Sequence, residues 1–375
     1  MPNRHIILSL LIVIYLYRYD TAVYTLPDKA FSKDWNANYN SVCKDVDHDR
    51  YTKLKKLKWY VAINLHNSED VIPFLTINIQ KLIEFNPNLF LSIYESGSSD
   101  KTKPMLKKLK ESLNIRHEIV LGNEYLTGDM NRIDFLVDKR NKALKFISKD
   151  YDSILFINDI FFCINDILEL EYQRILNSAG IVGGMDYEFD ENNDEFVFHD
   201  TWVAIDMNGY HLNKDLSQPM SSFMSKMSWL NQVPLQVLCV FNGMVAIDIE
   251  PFLNGLEFRR GTNDPNTIVA GECSTSECTS LCIDFIKLGY NHVLVPRVKV
   301  AYSFNVFKSM KVDNSVFKKY YPPNLPFKPQ EDQPVSWSSY PSSFHCHPYF
   351  TKDHGWHPHP YAEYWESMPK IKEKE

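Results

Sequence analysis

The chain has 375 residues, 44% apolar and 23% charged, with 14% aromatics. That is ordinary globular usage for one large or two moderate domains, and it excludes a disordered scaffold or a coiled-coil rod. A net charge of −7 has the wrong sign for a general nucleic-acid binder, and no internal repeat of 20–50 residues points to a solenoid or propeller.

Residues 6–17 (IILSLLIVIYLY) are apolar and bracketed by Arg4 and Arg18. Twelve residues rise about 18 Å, short of the roughly 30 Å hydrocarbon core. The leading expectation is an uncleaved signal anchor over 1–23, lengthened by snorkelling arginines and interfacial tyrosines. A cleaved signal peptide or a buried segment remains open, because residues 18–23 offer no clean small-x-small cleavage site. Residues 24–58 are polar and end in the lysine-rich run 53–58, which predicts a spacer.

From Trp59 the pattern alternates. Strands are predicted over 59–65, 89–94, 117–121 and 153–157, with helices over 71–84, 101–113 and 133–147. Strands separated by helices predict a mainly parallel sheet covered on both faces, an α/β domain over 59–304. Ligands bind such sheets beyond the carboxyl ends of the strands. The segments there are acidic or polar: Glu95-Ser96-Gly97-Ser98-Ser99-Asp100, Asn158-Asp159-Ile160, and Asp186-Tyr187-Glu188 after the apolar segment 180–185. Glu95 and Asp100 suit ribose or base recognition, or else a cap-and-turn loop with Asp100 capping the next helix. Asp159, at the end of a buried strand, is costly to desolvate unless paired or metal-bound, so it suits a divalent ion bridging a diphosphate. Arg132, Arg140 and Asn141 fall near the third strand's exit, where an arginine fork can grip phosphate.

Residues 192–304 are less periodic and rich in aromatics, which suits a sugar acceptor or an ordinary core. Seven cysteines are an odd set, so at least one is free or pairs elsewhere. Cys273, Cys278 and Cys282 form either a disulfide knot or a metal cluster; zinc knuckles usually space two cysteines by two residues, which favours disulfides. Residues 305–375 form a proline-, histidine- and aromatic-rich tail. Its His345, His347, His354, His357 and His359 suit metal binding or, more simply, an extended segment wrapped on the domain.

Eight motifs occur in order: SIYESGSSDKT (92–102), RIDFLVDKRNKAL (132–144), YDSILFINDIFFC (151–163), GMDYEFD (184–190), HDTWVAIDMNG (199–209), FNGM (241–244), ECSTSEC (272–278) and VPRVKVAYS (295–303). Together they resemble the fungal capsule-associated α-1,3-mannosyltransferase family. The resemblance covers 59–304 and implies a GT-A-like nucleotide-diphosphosugar fold, a single-pass type II protein of the Golgi or endoplasmic reticulum, and GDP-mannose as donor. It implies donor-binding roles for Glu95, Ser96, Gly97, Ser98, Asp100, Arg132, Arg140, Asn141 and Asn158. The Asp-x-Asp metal motif usual in such transferases is reduced here to Asn158-Asp159-Ile160-Phe161. A divalent ion, Mn2+ being the expected one, would therefore need Asp159 with Asp186 or Glu188. An α-linked product from an α-linked donor requires retention, by a carboxylate beneath the anomeric carbon or by same-face attack. Asp200, Glu272 and Glu277 are the candidate acids, Asp200 first, beside Trp202 as a sugar platform. Two other readings stay open: an inactive scaffold or export factor for polysaccharide assembly, and a transferase using another nucleotide sugar.

Overall fold

The computed structural model describes residues 34–127, 131–261, 272–273, 275–312, 317, 320, 333–348 and 364–368. The expected anchor over 1–23 lies outside them, as do His354, His357 and His359. Among the described residues no helix is long and apolar enough to cross a membrane.

The first half alternates as its sequence pattern dictates. Strand β1 (Trp59–Leu65), helix α2 (Ile72–Phe85), β2 (Leu89–Ser96), α3 (Thr102–Ser112), β3 (Arg116–Gly122), α4 (Arg132–Ala143), β4 (Ser153–Ile157) and α5 (Ile164–Asn177) follow one another, preceded by α1 (Trp35–Val42). Then come β5 (Ile181–Asp190), β6 (Glu195–Phe198), α6 (Phe223–Leu230), β7 (Leu235–Val237), β8 (Met244–Asp248), α7 (Glu250–Leu253), α8 (Glu277–Lys287), β9 (His292–Ala301) and α9 (Phe304–Val312). A separate antiparallel pair, β10 (Ser343–Cys346) and β11 (Tyr364–Ser367), closes the described chain.

The main sheet has the order β3-β2-β1-β4-β8-β5-β9-β7, with β6 paired to β5. Pairs β1–β2, β2–β3, β1–β4 and β5–β9 are parallel, whereas β8 lies antiparallel between β4 and β5 and β7 antiparallel on β9. The expected mainly parallel sheet is thus a mixed one. Because two antiparallel contacts restore direction, β1 to β5 and β9 still run the same way. Their carboxyl ends share one edge, which is where such a sheet leaves room for a ligand. β1, β4 and β8 are buried along almost their whole length, as strands covered on both faces must be.

The predicted spacer ends earlier than expected: residues 34–58 belong to the folded domain. Tyr39, Tyr51 and Leu54 are core residues, Trp35 stacks on Phe161 at 6.1 Å, and Cys43 is disulfide-bonded to Cys163. The lysine run hid this because its two leucines pack inward while its lysines stay in water. The crowded cysteines are neither a knot nor a metal cluster. Cys282 pairs with Cys239, Cys273 pairs with Cys346 of the tail, and Cys278 is a buried free thiol.

Candidate active site

A cleft of about 590 Å³ opens at the shared strand edge. One side is built from Ser96 at the end of β2 and from residues that directly follow β1 and β4: His66, Asn158 and Asp159. The other side comes from the turn after β6 (His199, Asp200, Trp202), from Phe241 before β8, from Glu277 and Cys278 at the start of α8, and from Tyr302 after β9. Arg132, Lys139 and Arg140 reach in from α4.

Arg140 is a buried cation of this site, beside the buried Lys139. Its Nε donates to Glu277 Oε1 at 2.8 Å and its Nη1 to Asn158 Oδ1 at 3.2 Å. The guanidinium lies 5.2, 4.6 and 5.5 Å from the ring centres of Phe156, Phe241 and Phe258. Such rings favour a planar cation. Glu277 opens α8, where a carboxylate complements the helix dipole, and Ser276 caps the same turn by accepting the Cys278 N–H at 3.2 Å. Ordered backbone bonds fix the end of β4: Asn158 N–H donates to Gly243 O at 2.9 Å, and Phe161 N–H to Ala301 O at 2.8 Å.

Three aspartates converge on Tyr302. Although Tyr302 is 38% exposed as a whole, desolvation of its phenol inside the cleft raises it well above its usual range, and the charges of Asp186, Asp159 and Asp200 add to the effect. Burial also raises Asp159, against the pull of His66 and Arg140. Asp186 is fully buried on β5; its Oδ1 accepts the Asp200 N–H at 3.2 Å, and its Oδ2 has no hydrogen-bond partner among the described residues. Burial and the neighbouring Asp200 push Asp186 up, so it favours the neutral acid. Asp200 is raised too, mainly by burial, although His199 opposes this.

The sequence-predicted residues divide clearly. The cleft gathers Ser96, Arg132, Arg140, Asn158, Asp159, Asp200, Trp202 and Glu277. Others stand outside it. Glu95 is fully buried and accepts the Ser98 N–H, while Asp100 accepts the N–H groups of Thr102 and Glu69 at 2.9 and 3.0 Å. These two carboxylates therefore hold the β2–α3 turn, the cap-and-turn alternative. Gly97 sits in that turn at φ +65°, and a Cβ there would meet the Glu124 carbonyl oxygen at 2.6 Å. Ser98 braces the same turn by accepting the Asn67 N–H at 2.8 Å. Asn141 exchanges two 2.9 Å bonds with the Phe258 backbone. Glu272 is engaged by Arg259 and Lys287, which hold its carboxyl down at about 2 against the upward push of burial.

Asp159, Asp186 and Glu188 do not form a cation site. Glu188 pairs with His199 Nδ1 at 2.8 Å and Lys214 Nζ at 3.1 Å, and Asp186 is sealed behind Asp200. Among the described residues no three His, Cys, Asp or Glu side chains stand close enough to hold a metal ion. The donor set that the described residues place in the cleft does not fit the expected Mn2+.

The cleft also contains residues the sequence reading missed: Asn64, His66, Lys139, His199, Phe241, Cys278 and Tyr302. His66 directly follows β1, so the strand-end rule applied to that strand finds it. Its Nδ1 lies 2.6 Å from the Ser96 carbonyl oxygen, which links the ends of β1 and β2.

A curated relative, the alpha-1,3-mannosyltransferase CMT1 of Cryptococcus neoformans var. neoformans serotype D, is 29% identical over 342 residues, covering 81% of this chain and 72% of its own. Among solved structures, the mannosyltransferase PcManGT from Pyrobaculum calidifontis, in complex with GDP-Man and Mn2+, overlaps 71% of this chain and 63% of its own, at 12% identity and a TM-score of 0.39. GalNAc-T7 with UDP, GalNAc and Mn2+ overlaps 65% of this chain and 43% of its own, at 13% identity and a TM-score of 0.43. The family described as Cryptococcal mannosyltransferase 1 matches residues 58–284, more than half of the 375-residue chain, and the chain therefore belongs to the cryptococcal mannosyltransferase family.

Proposed function

We propose that the chain transfers mannose from GDP-mannose to a glycan acceptor, forming an α-1,3 linkage with retention, on a GT-A-like domain. Family membership supports the reaction class. The observation that carries the reading to this cleft is the buried Arg140 facing Asp159 and Asp200 at the carboxyl ends of the strands.

In this reading the nucleoside lies toward His66 and Ser96, and the diphosphate toward Arg140. A guanidinium fixed by Glu277 and Asn158 needs no reorganisation to face the charge that grows on the leaving diphosphate. The bond from the anomeric carbon to the donor's phosphate oxygen breaks, and a bond to the acceptor oxygen forms on the same face. The acceptor proton passes to the leaving phosphate or to Asp200, whose raised acidity range suits proton uptake near neutrality. Trp202 offers a ring face to a pyranose. Because the donor set does not fit a cation, no step is routed through one. Three disulfides suit an oxidising lumen, in line with a membrane-anchored enzyme of the Golgi or endoplasmic reticulum.

Asp159→Ala tests the assignment, because Asp159 lines the cleft beside Arg140 and in this reading accepts a hydroxyl of the bound donor. The variant is expected to keep the wild-type melting temperature and lose GDP-mannose turnover by about 100-fold or more. Near-normal turnover removes Asp159 and this cleft from the reaction.

A further inference from the structure

The C-terminal histidine segment, expected to bind metal or more simply to wrap the surface, touches the 200–211 segment at three points, one of them the cleft residue Trp202. Trp202 Nε1 donates to the His347 carbonyl oxygen at 2.8 Å. His345 N–H donates to Gly209 O at 2.7 Å. His211 lies between the two segments, with Nδ1 3.1 Å from the Thr201 carbonyl oxygen and Nε2 2.9 Å from that of His345. Thr201 separates Asp200 from Trp202, so these bonds act directly on the turn that lines the cleft.

Covalent links complete the frame. Cys346 of β10 is bonded to Cys273, four residues before Glu277, and Cys239 is bonded to Cys282 of α8. Cys239 also pairs through its backbone with Ile205 on the same Asp200 loop, accepting the Ile205 N–H at 3.0 Å. Phe344 and Cys346 are buried and alternate with the part-exposed His345 and His347, so β10 is seated by its own side chains.

We propose that β10 is a strap that sets the acceptor-side wall of the cleft, with His211 as the positioning residue that couples it to the Asp200–Trp202 turn. The proposal rests on the transferase reading for its functional meaning, since a wall is acceptor-side only if a donor lies opposite. Its physical basis does not depend on that reading. Both carbonyl oxygens facing His211 only accept hydrogen bonds, and a neutral imidazole donates from one nitrogen only. Burial and His347 keep the ring neutral, lowering it to about 3. A neutral His211 therefore donates to one carbonyl oxygen only, and its ring packs edge-on against that of His347 with centroids 4.4 Å apart. It holds the two segments together through its shape as well as its donor. The indole bond to His347 fixes the Trp202 ring plane, which decides whether its face is presented to a sugar.

The full chain with His211→Phe, and His211→Gln as the conservative variant, tests this in two ways. Hydrogen exchange by mass spectrometry is expected to show about tenfold faster exchange at 199–205 and 343–347 in the Phe variant, with 153–163 unchanged and Gln intermediate. Unchanged exchange at 199–205 overturns the proposal, and so does acceleration throughout the chain. Product partition is read with GDP-mannose and methyl α-D-mannopyranoside as the acceptor probe. The ratio of transfer product to free mannose is expected to fall about tenfold in the Phe variant while total GDP release stays within about twofold. Equal loss of both products overturns the positioning role. If the wild type releases no GDP, the transferase reading has failed, and the exchange experiment still decides the strap. The same holds if the wild type yields only free mannose.

Discussion

Replacing Arg140 probes stability and chemistry at once. Arg140 and Glu277 are 8% and 2% exposed, and their 2.8 Å contact is a buried ion pair. Removing one partner strands the other charge away from water, at a cost of about 3–5 kcal/mol. Arg140→Met keeps an unbranched apolar chain among Phe156, Phe241 and Phe258 but leaves Glu277 unpaired. At roughly 2 °C per kcal/mol for a large domain, its melting temperature should fall by about 6–10 °C. Glu277→Leu should cost about as much, because it leaves the guanidinium buried beside the rings. Arg140→Met combined with Glu277→Leu removes both charges and should melt well above the value expected from adding the two losses. Thermal unfolding of the four proteins, followed by circular dichroism, gives the coupling directly. Additive losses would refute the buried-pair account. The double variant has a second use. Folded but without its guanidinium, it should turn over donor about 100-fold more slowly or worse. Wild-type turnover in that protein would mean that Arg140 holds no phosphate.

Three further outcomes follow from the same contacts. Glu272→Gln should preserve turnover, because Glu272 serves the Arg259–Lys287 clasp; it should lower stability by about 1 kcal/mol at neutral pH. With the wild-type carboxyl held at about 2, that difference should vanish as pH falls from the ordinary carboxylate range toward 2 in urea titrations. Asp186 has the opposite sign. Its folded form keeps a proton that the unfolded chain releases above about pH 4, so wild-type stability should decline as pH rises through the weakly acidic range. Asp186→Asn should flatten that decline, and parallel curves for the two proteins would contradict the burial of this acid. Cys43→Ser with Cys163→Ser opens a link spanning 120 residues and should cost roughly 2–5 kcal/mol, measured by denaturant unfolding.

The sequence exposed the parallel half of the fold because its periods are clean. Residues 59–65 and 153–157 are mostly apolar runs, broken only by Asn64 and Ser153 and bounded by polar residues, and both strands have those bounds. The second half resisted for physical reasons. β8 is a short antiparallel strand slipped between β4 and β5, a pairing that no local pattern announces. β9 carries Arg297 and Lys299 inside an apolar run, and Lys299 is buried with its ammonium 3.9 Å from the Phe317 ring centre. The site divides the same way. Asp159 and Arg140 were legible because they follow or face a recognisable strand. Glu95 and Asp100 serve N–H groups of the β2–α3 turn, which an acid at a strand end does as readily as it meets a ligand, so their position alone does not separate the two roles. Tyr302 and His199 needed the three-dimensional structure, since they meet in the cleft from segments a hundred residues apart in sequence. The tail was read as a metal tract or surface wrapping, and it is the Trp202–His347 bond, with the Cys273–Cys346 link behind it, that ties the tail to the cleft wall.

The measurement closest to the central claim is nucleoside diphosphate release by the purified chain from a panel of nucleotide sugars, with and without Mn2+ and a chelator. The account predicts release confined to GDP-mannose and abolished by Asp159→Ala. Equal release from several donors would contradict the donor assignment. No release from any donor, with no binding of GDP, would point to the scaffold reading instead.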